Sequence, residues 1–180
     1  MIAEAAWQEF SLRKVLFIPS GDTPNKDMHH IDKNIRYAMV EKAIEGNGHF
    51  MISPIERDRQ GPSYTVDTIR ILQREFGDDY EFYFICGTDA VADLPTWKYN
   101  RELLSACHFI CASRPGNENE IQKSIDYFGE LGRKKIHFLK TPELAISSTI
   151  LRDWIAEKRS VRYLIPDAVI DMIRINKLYE

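Results

Sequence analysis

Apolar positions switch between the helical and the strand period from one end of the chain to the other. "IAEAAWQEF" at 2–10 has helical spacing, and "KVLFIPS" at 14–20 follows as a strand that stops at Pro19. "NIRYAMVEKAIEG" predicts an amphipathic helix ended by Gly46, "HFMISPI" a strand, and "SYTVDTIRILQREFG" a helix begun by hydroxyls and ended by Gly77. "YEFYFICG" is a continuous β-prone apolar run of the kind found in the middle of a parallel sheet. "NRELLSA" and "HFICAS" give a helix and a strand, "NEIQKSIDYFGEL" and "KIHFLK" another pair, and "STILRDWIAEK" and "PDAVIDMIRIN" two closing helices.

Strands separated by helices argue for βαβ units. The expected fold is therefore α/β, a doubly wound, Rossmann-like parallel sheet with helices on both faces, in one domain over 1–180. Such sheets bind ligands beyond the carboxyl ends of their strands, which directs attention to 19–26, 55–65, 87–97, 114–117 and 141–149. The chain contains neither G-x-G-x-x-G nor G-x-x-x-x-G-K-[ST], so dehydrogenase and P-loop chemistry have no support.

Composition narrows the class further. With 180 residues, 44% apolar and 28% charged, the chain is long enough to bury a full core. A formal charge of -3 supplies no broad cationic field, so nucleic acid is not an expected partner, although a local basic pocket for a small anion is compatible with it. No apolar run reaches about 18 residues and the first ten residues lack a basic n-region, which argues against a membrane span or secretory signal and for the cytoplasm. Cys86, Cys107 and Cys111 read as buried reduced thiols, and strand alternation in "CHFICAS" places Cys107 and Cys111 on one face with His108 on the other. His29, His30 and Asp32 suggest a solvated loop, and no metal site is expected.

Each predicted loop leaves a choice between structure and chemistry. Lys26, after "GDTPN", is a solvated lysine or a phosphate contact, and Arg36 is an interhelical ion-pair partner or a ligand contact. Ser63, Tyr64 and Thr65 either cap a helix or offer donors to a small carboxylate. In "ICGTDAVADLPTWKYN", Gly87 lets the backbone approach a ligand, Asp89 accepts from a hydroxyl or amide, and Trp97 is a core residue or a flat face for a ring. Arg114 in "SRPG" could grip a phosphate bidentately. In "AISSTILRDW", Ser147 or Ser148 caps a helix, or the hydroxyls of Ser147, Ser148 and Thr149 join Arg152 and exposed N–H groups around an anion.

Together "FIPSGDTPNK", "RQGPSYTVDT", "FICGTDAVADLPTW", "SRPG", "ISSTILR" and "RYLIPDAVIDMI" resemble the bacterial nicotinate-mononucleotide adenylyltransferases, members of the nucleotidyltransferase superfamily, over essentially the whole chain. The resemblance implies transfer of AMP from ATP to nicotinate mononucleotide with Mg²⁺ assistance, giving deamido-NAD and pyrophosphate. It implies that Thr65 and the backbone around Tyr64 meet the nicotinate carboxylate, that Trp97 stacks on the pyridine ring, and that Gly87 and Asp89 lie where the nucleotide is held. Arg114 and Lys26 correspond to phosphate contacts, and Ser147, Ser148, Thr149 and Arg152 to the motif that binds ATP phosphates, Arg152 and Lys26 being the catalytic candidates.

Two departures stand out. The usual P-P-H-K is Thr23, Pro24, Asn25, Lys26 here, and the opening strand with its G-G-[ST]-F-D-P-x-H-x-G-H segment is absent. Met1 is then expected to be internal to a reading frame extending upstream by roughly 20 residues, about one strand and a turn. The expected consequences are two strands without a ladder partner, weak ATP binding and impaired turnover. The alternatives are a non-catalytic nucleotide-binding protein or an adenylyltransferase for another phosphorylated acceptor, such as pantetheine phosphate. The partners expected are small molecules, with a homo-oligomer left open.

Overall fold

The structure, a computed structural model, describes residues 1–21, 31–61, 63–113, 118–141 and 146–179. In chain order the first elements are α1 (Ile2–Glu9), β1 (Val15–Phe17), α2 (Lys33–Ile44), β2 (Phe50–Ile52) and α3 (Thr65–Phe76). Next come β3 (Tyr83–Gly87), α4 (Thr88–Asp93), a 3-10 turn (Leu94–Thr96), α5 (Asn100–Ala106) and β4 (His108–Ser113). The last are α6 (Glu118–Phe128), α7 (Glu130–Lys135), β5 (Ile136–Lys140), α8 (Ser148–Ala156) and α9 (Asp167–Ile175). These fall into two compact units, each assembled from separated stretches: 1–13 with 64–143, and 14–63 with 144–180.

The first unit is a three-stranded parallel sheet in the order β3-β4-β5, with Tyr83 opposite His108 and Phe109 opposite Ile136. Phe109, Ile110 and Cys111 of β4 are fully buried, as expected of a strand covered on both faces. Helix α3 contributes Val66, Ile69 and Leu72, a stripe at helical spacing, and ends at Gly77, whose φ of 78° suits glycine. Ala6 of α1 packs with Ile110 and Leu139 against the sheet.

In the second unit, β1 and β2 form a two-stranded parallel sheet with Val15 opposite Phe50. Helix α2 packs on β2 and α9. Asp32 caps α2, accepting from the backbone N–H of Asn34 at 2.8 Å, a bond that holds its carboxyl below the ordinary range. Among the described residues no helix is long and apolar enough to cross a membrane.

All ladders are parallel and the helix–strand order is the expected one, but the described strands form two sheets, β1 with β2 and β3 to β5. Three local expectations are corrected. "YEFYFICG" forms an edge strand of half-buried residues, while "HFICAS" takes the centre of its sheet, because an apolar run does not distinguish edge from middle. The loop expected after Gly87 is a helix followed at once by a 3-10 turn, with Val91 and Leu94 fully buried. The single helix expected over "NEIQKSIDYFGEL" breaks at Gly129, φ 62°, and α7 then lies so close to α6 that a Cβ on Gly132 would stand 2.5 Å from the Ile125 carbonyl oxygen.

Candidate functional site

The first unit gathers the residues expected to meet the acceptor. Tyr64 is the N-cap residue of α3, and Thr65 is its first helical position. The expected hydroxyl cap is not formed: no side chain among the described residues caps α3, and Ser63 Oγ is buried without a partner. The ring of Tyr64 is exposed and lies under the Lys98 ammonium, whose Nζ is 4.7 Å from the ring centre. Lys98 follows Trp97, so the start of α3 and the chain after the 3-10 turn meet through this pair.

Trp97 is held at that position by its own backbone, its N–H donating to Leu94 O at 3.1 Å. Its half-buried indole meets Phe84 edge-on at 6.1 Å and Phe109 at 6.4 Å, so packing accounts for part of the ring and the residue stays partly exposed. Gly87 ends β3 with open space where a Cβ would be, leaving its backbone accessible. Asp89 is exposed in the first turn of α4, and its charge raises the nearby Cys111 thiol.

None of the three cysteines is an activated nucleophile. Burial pushes Cys86 and Cys107 up to about 12, and burial with the Asp89 charge pushes Cys111 up to about 11. His108 instead bonds across the strands, Nδ1 to His137 Nε2 at 2.8 Å, and receives Lys135 Nζ at 3.0 Å. Among the described residues no group of three or more His, Cys, Asp or Glu could hold a metal ion.

The second unit carries the hydroxyl-rich helix start. Ser147 is the N-cap of α8, its Oγ accepting from Ile150 N–H at 3.1 Å, so the capping function of this stretch is real. Ser148 and Thr149 are exposed, and Thr149 Oγ1 accepts from Arg152 Nη2 at 3.2 Å. Arg36 donates to Ser20 Oγ at 3.0 Å and to Gly21 O at 2.7 Å, pinning the turn after β1 against α2. A Cβ on Gly21 would collide with the Glu56 carbonyl oxygen, which is why glycine stands there. Burial raises the Tyr179 hydroxyl, and Arg152 and Arg36 both pull it back down, which places two cations from different helices about one phenol. Sequence reasoning missed Tyr179; nothing in its local pattern marks it. Lys26, Arg114, His29, His30 and the T-P-N-K segment lie outside the described residues.

Residues 1–153 match the cytidylyltransferase-like family. A probable nicotinate-nucleotide adenylyltransferase of Moorella thermoacetica is 44% identical over 98% of this chain and 82% of its own length. One of the same name from Thermoanaerobacter is 41% identical over 99% of this chain and 85% of its own. The solved nicotinic acid mononucleotide adenylyltransferase of Plasmodium falciparum, complexed with NaAD, superposes with a TM-score of 0.75 at 19% identity, covering 99% of this chain and 90% of that one, a likeness of fold. The chain belongs to the cytidylyltransferase-like family and, within it, to the bacterial nicotinate-nucleotide adenylyltransferases.

Proposed function

We propose that this chain transfers the adenylyl group of ATP to nicotinate mononucleotide, giving deamido-NAD and pyrophosphate. The observation that carries the reading is the near full-length match to relatives of that name, and the site chemistry suits it. A phosphate oxygen of the acceptor attacks the α-phosphorus of ATP in line. The α–β bridging P–O bond breaks, and its electron pair leaves with pyrophosphate. Such a step needs positioning and charge stabilisation rather than a protein nucleophile, consistent with the unreactive cysteines.

In this reading the exposed part of Trp97 stacks on the pyridine ring, and the backbone N–H groups at Tyr64 and Thr65 receive its carboxylate. Gly87 gives the nucleotide backbone access, and Asp89 accepts from a hydroxyl or amide. Ser147, Ser148, Thr149 and Arg152 take the ATP phosphates, with Arg152 and Lys26 countering charge in the transition state and Arg114 gripping phosphate. Mg²⁺ would enter on ATP, held mainly by substrate phosphates. Both units are parts of one nucleotidyltransferase domain, the setting is the cytoplasm, and self-association is compatible with the activity.

The test is product analysis by chromatography after incubating the purified protein with MgATP and, in parallel, nicotinate mononucleotide, its amide and pantetheine phosphate. Dinucleotide and pyrophosphate in equal amounts, fastest with the nicotinate acceptor, are expected. Transfer to pantetheine phosphate alone, or ATP binding without transfer to any acceptor, would overturn the reading.

A further inference from the structure

The loop between α8 and α9 and the helix ends beside it border an open cavity of about 1030 Å³, at the top of the roughly 300–1,000 Å³ usual for small-molecule sites. Its lining comes from 155–174, inside the second unit, and includes none of Ser147–Arg152. The floor is apolar, with Val161, Ile170 and Ile173 buried and Ile155 half-buried. The rim is cationic. Exposed Lys158, Arg159, Arg162 and Arg174 stand against Asp167 and Asp171, a local charge of +2 in a chain whose net charge is -3.

The nearby carboxylates do not consume these cations. Arg162 stands 3.6 Å from Asp167, Arg174 3.8 Å from Asp171, and Arg159 3.4 Å from Glu157. By contrast, Arg70 closes on Glu102 to 2.6 Å and Lys42 on Glu45 to 2.9 Å. The Lys158 ammonium has no hydrogen bond or ion pair among the described residues. Nor is lysine the residue its backbone favours. Helix α8 ends in a Schellman turn, with Lys158 N–H donating to Ile155 O at 2.9 Å and Arg159 N–H to Trp154 O at 2.7 Å. Such a turn puts its C′ residue in the left-handed region, here at φ 59°, where glycine is preferred. A lysine there accepts backbone strain while adding a charge to the cavity rim.

A ligand that suits this lining combines two or more negative charges with an apolar face, and presents paired oxygens to guanidinium forks. We propose that the cavity binds a nucleoside diphosphate, with its phosphates on Lys158, Arg162 and Arg174 and its base against the isoleucine floor. The diphosphate matches the local charge, and base and ribose fill volume that a bare phosphate leaves empty. No residue assigned to adenylyl transfer lines the cavity, so its occupancy is independent of that reading.

The experiment titrates ADP, and separately inorganic phosphate, into wild type, Arg152→Ala, Lys158→Gly and Arg162→Gln by calorimetry, with thermal unfolding of each protein measured without ligand. ADP should show an equivalent of binding that survives Arg152→Ala, weakens roughly 10–100-fold in Arg162→Gln and several-fold in Lys158→Gly, and is tighter than binding of inorganic phosphate. Lys158→Gly should unfold no earlier than wild type, because it relieves the left-handed residue, so binding lost there is not fold lost. The proposal is overturned if wild type binds no ADP, if all ADP binding disappears in Arg152→Ala, or if Lys158→Gly and Arg162→Gln bind ADP as wild type does. Inorganic phosphate binding as tightly as ADP would overturn it too, since the apolar floor would then contribute nothing.

Discussion

Ser147 allows a helix cap and a phosphate site to be separated by experiment. Its Oγ accepts from Ile150 N–H at 3.1 Å at an exposed helix start. Ser147→Ala removes that acceptor and should cost about 0.5–1 kcal/mol, the lower half of the usual range for a cap. For a chain of this size that is a fall in Tm of roughly 1–4 °C. Ser147→Asp keeps an acceptor in place and adds negative charge at the positive end of α8, a gain of about 0.3–1 kcal/mol, so its Tm should equal or exceed that of wild type. Toward ATP the order reverses. A new carboxylate near bound phosphates, screened by solvent, should cost about 1–2 kcal/mol, or roughly 5–30-fold in Kd. Calorimetry with ATP and with nicotinate mononucleotide reads both effects beside thermal unfolding. Arg152→Ala should likewise weaken ATP binding and leave the acceptor's affinity nearly unchanged. If Ser147→Asp binds ATP as tightly as wild type, the helix start is a cap and nothing more.

Two further expectations concern the first unit. Trp97→Ala should cost about 2 kcal/mol, roughly half the penalty for a fully buried aromatic, and should also raise KM for the acceptor, while Trp97→Phe keeps most of both; a stability loss without a KM change would leave Trp97 a packing residue only. His108 and His137 are both held below the ordinary imidazole value, chiefly by burial and then by the Lys135 charge, with His137, the opposing Glu81 and Lys134 also acting on His108. The unfolded chain therefore takes up protons first as pH falls below about 6.5, and stability is lost through the folded-state values. Denaturant midpoints at pH 7.5 and 5.5 should show a smaller drop for a His108→Asn, His137→Asn double variant than for wild type, and equal drops would contradict the assignment.

Periodicity made the order of elements legible because buried stripes and alternating strands leave a pattern in one dimension. Val66, Ile69 and Leu72 mark α3 by their spacing alone, and Gly77 marks its end. What periodicity does not carry is the identity of the neighbour. "YEFYFICG" and "HFICAS" are both apolar runs, yet among the described strands only β4 has a neighbour on each side. Serine chemistry is ambiguous for the same reason: Ser147 caps its helix, while half-buried Ser63, with the same local signature, has its Oγ sealed without a hydrogen-bond partner. Of the candidate site, Tyr64, Thr65, Gly87, Asp89 and Trp97 could be picked out by their place after strands or at a helix start. The convergence of Arg36, Arg152 and Tyr179 could not, because it depends on helices from opposite ends of the sequence.

The interleaving of the two units has a consequence for how the protein is made. Residues 1–13 wait for 64–143 before their unit can close, and the second unit, begun at residue 14, is incomplete until the final helix is synthesised. During translation the β1–β2 pair leaves the ribosome long before α9, which supplies Ile170 and Ile173 to its unit's core. An emerging chain therefore carries a short, sticky two-stranded ribbon through most of its synthesis, and ribosome stalling upstream of α9 should leave nascent chains that depend on chaperones.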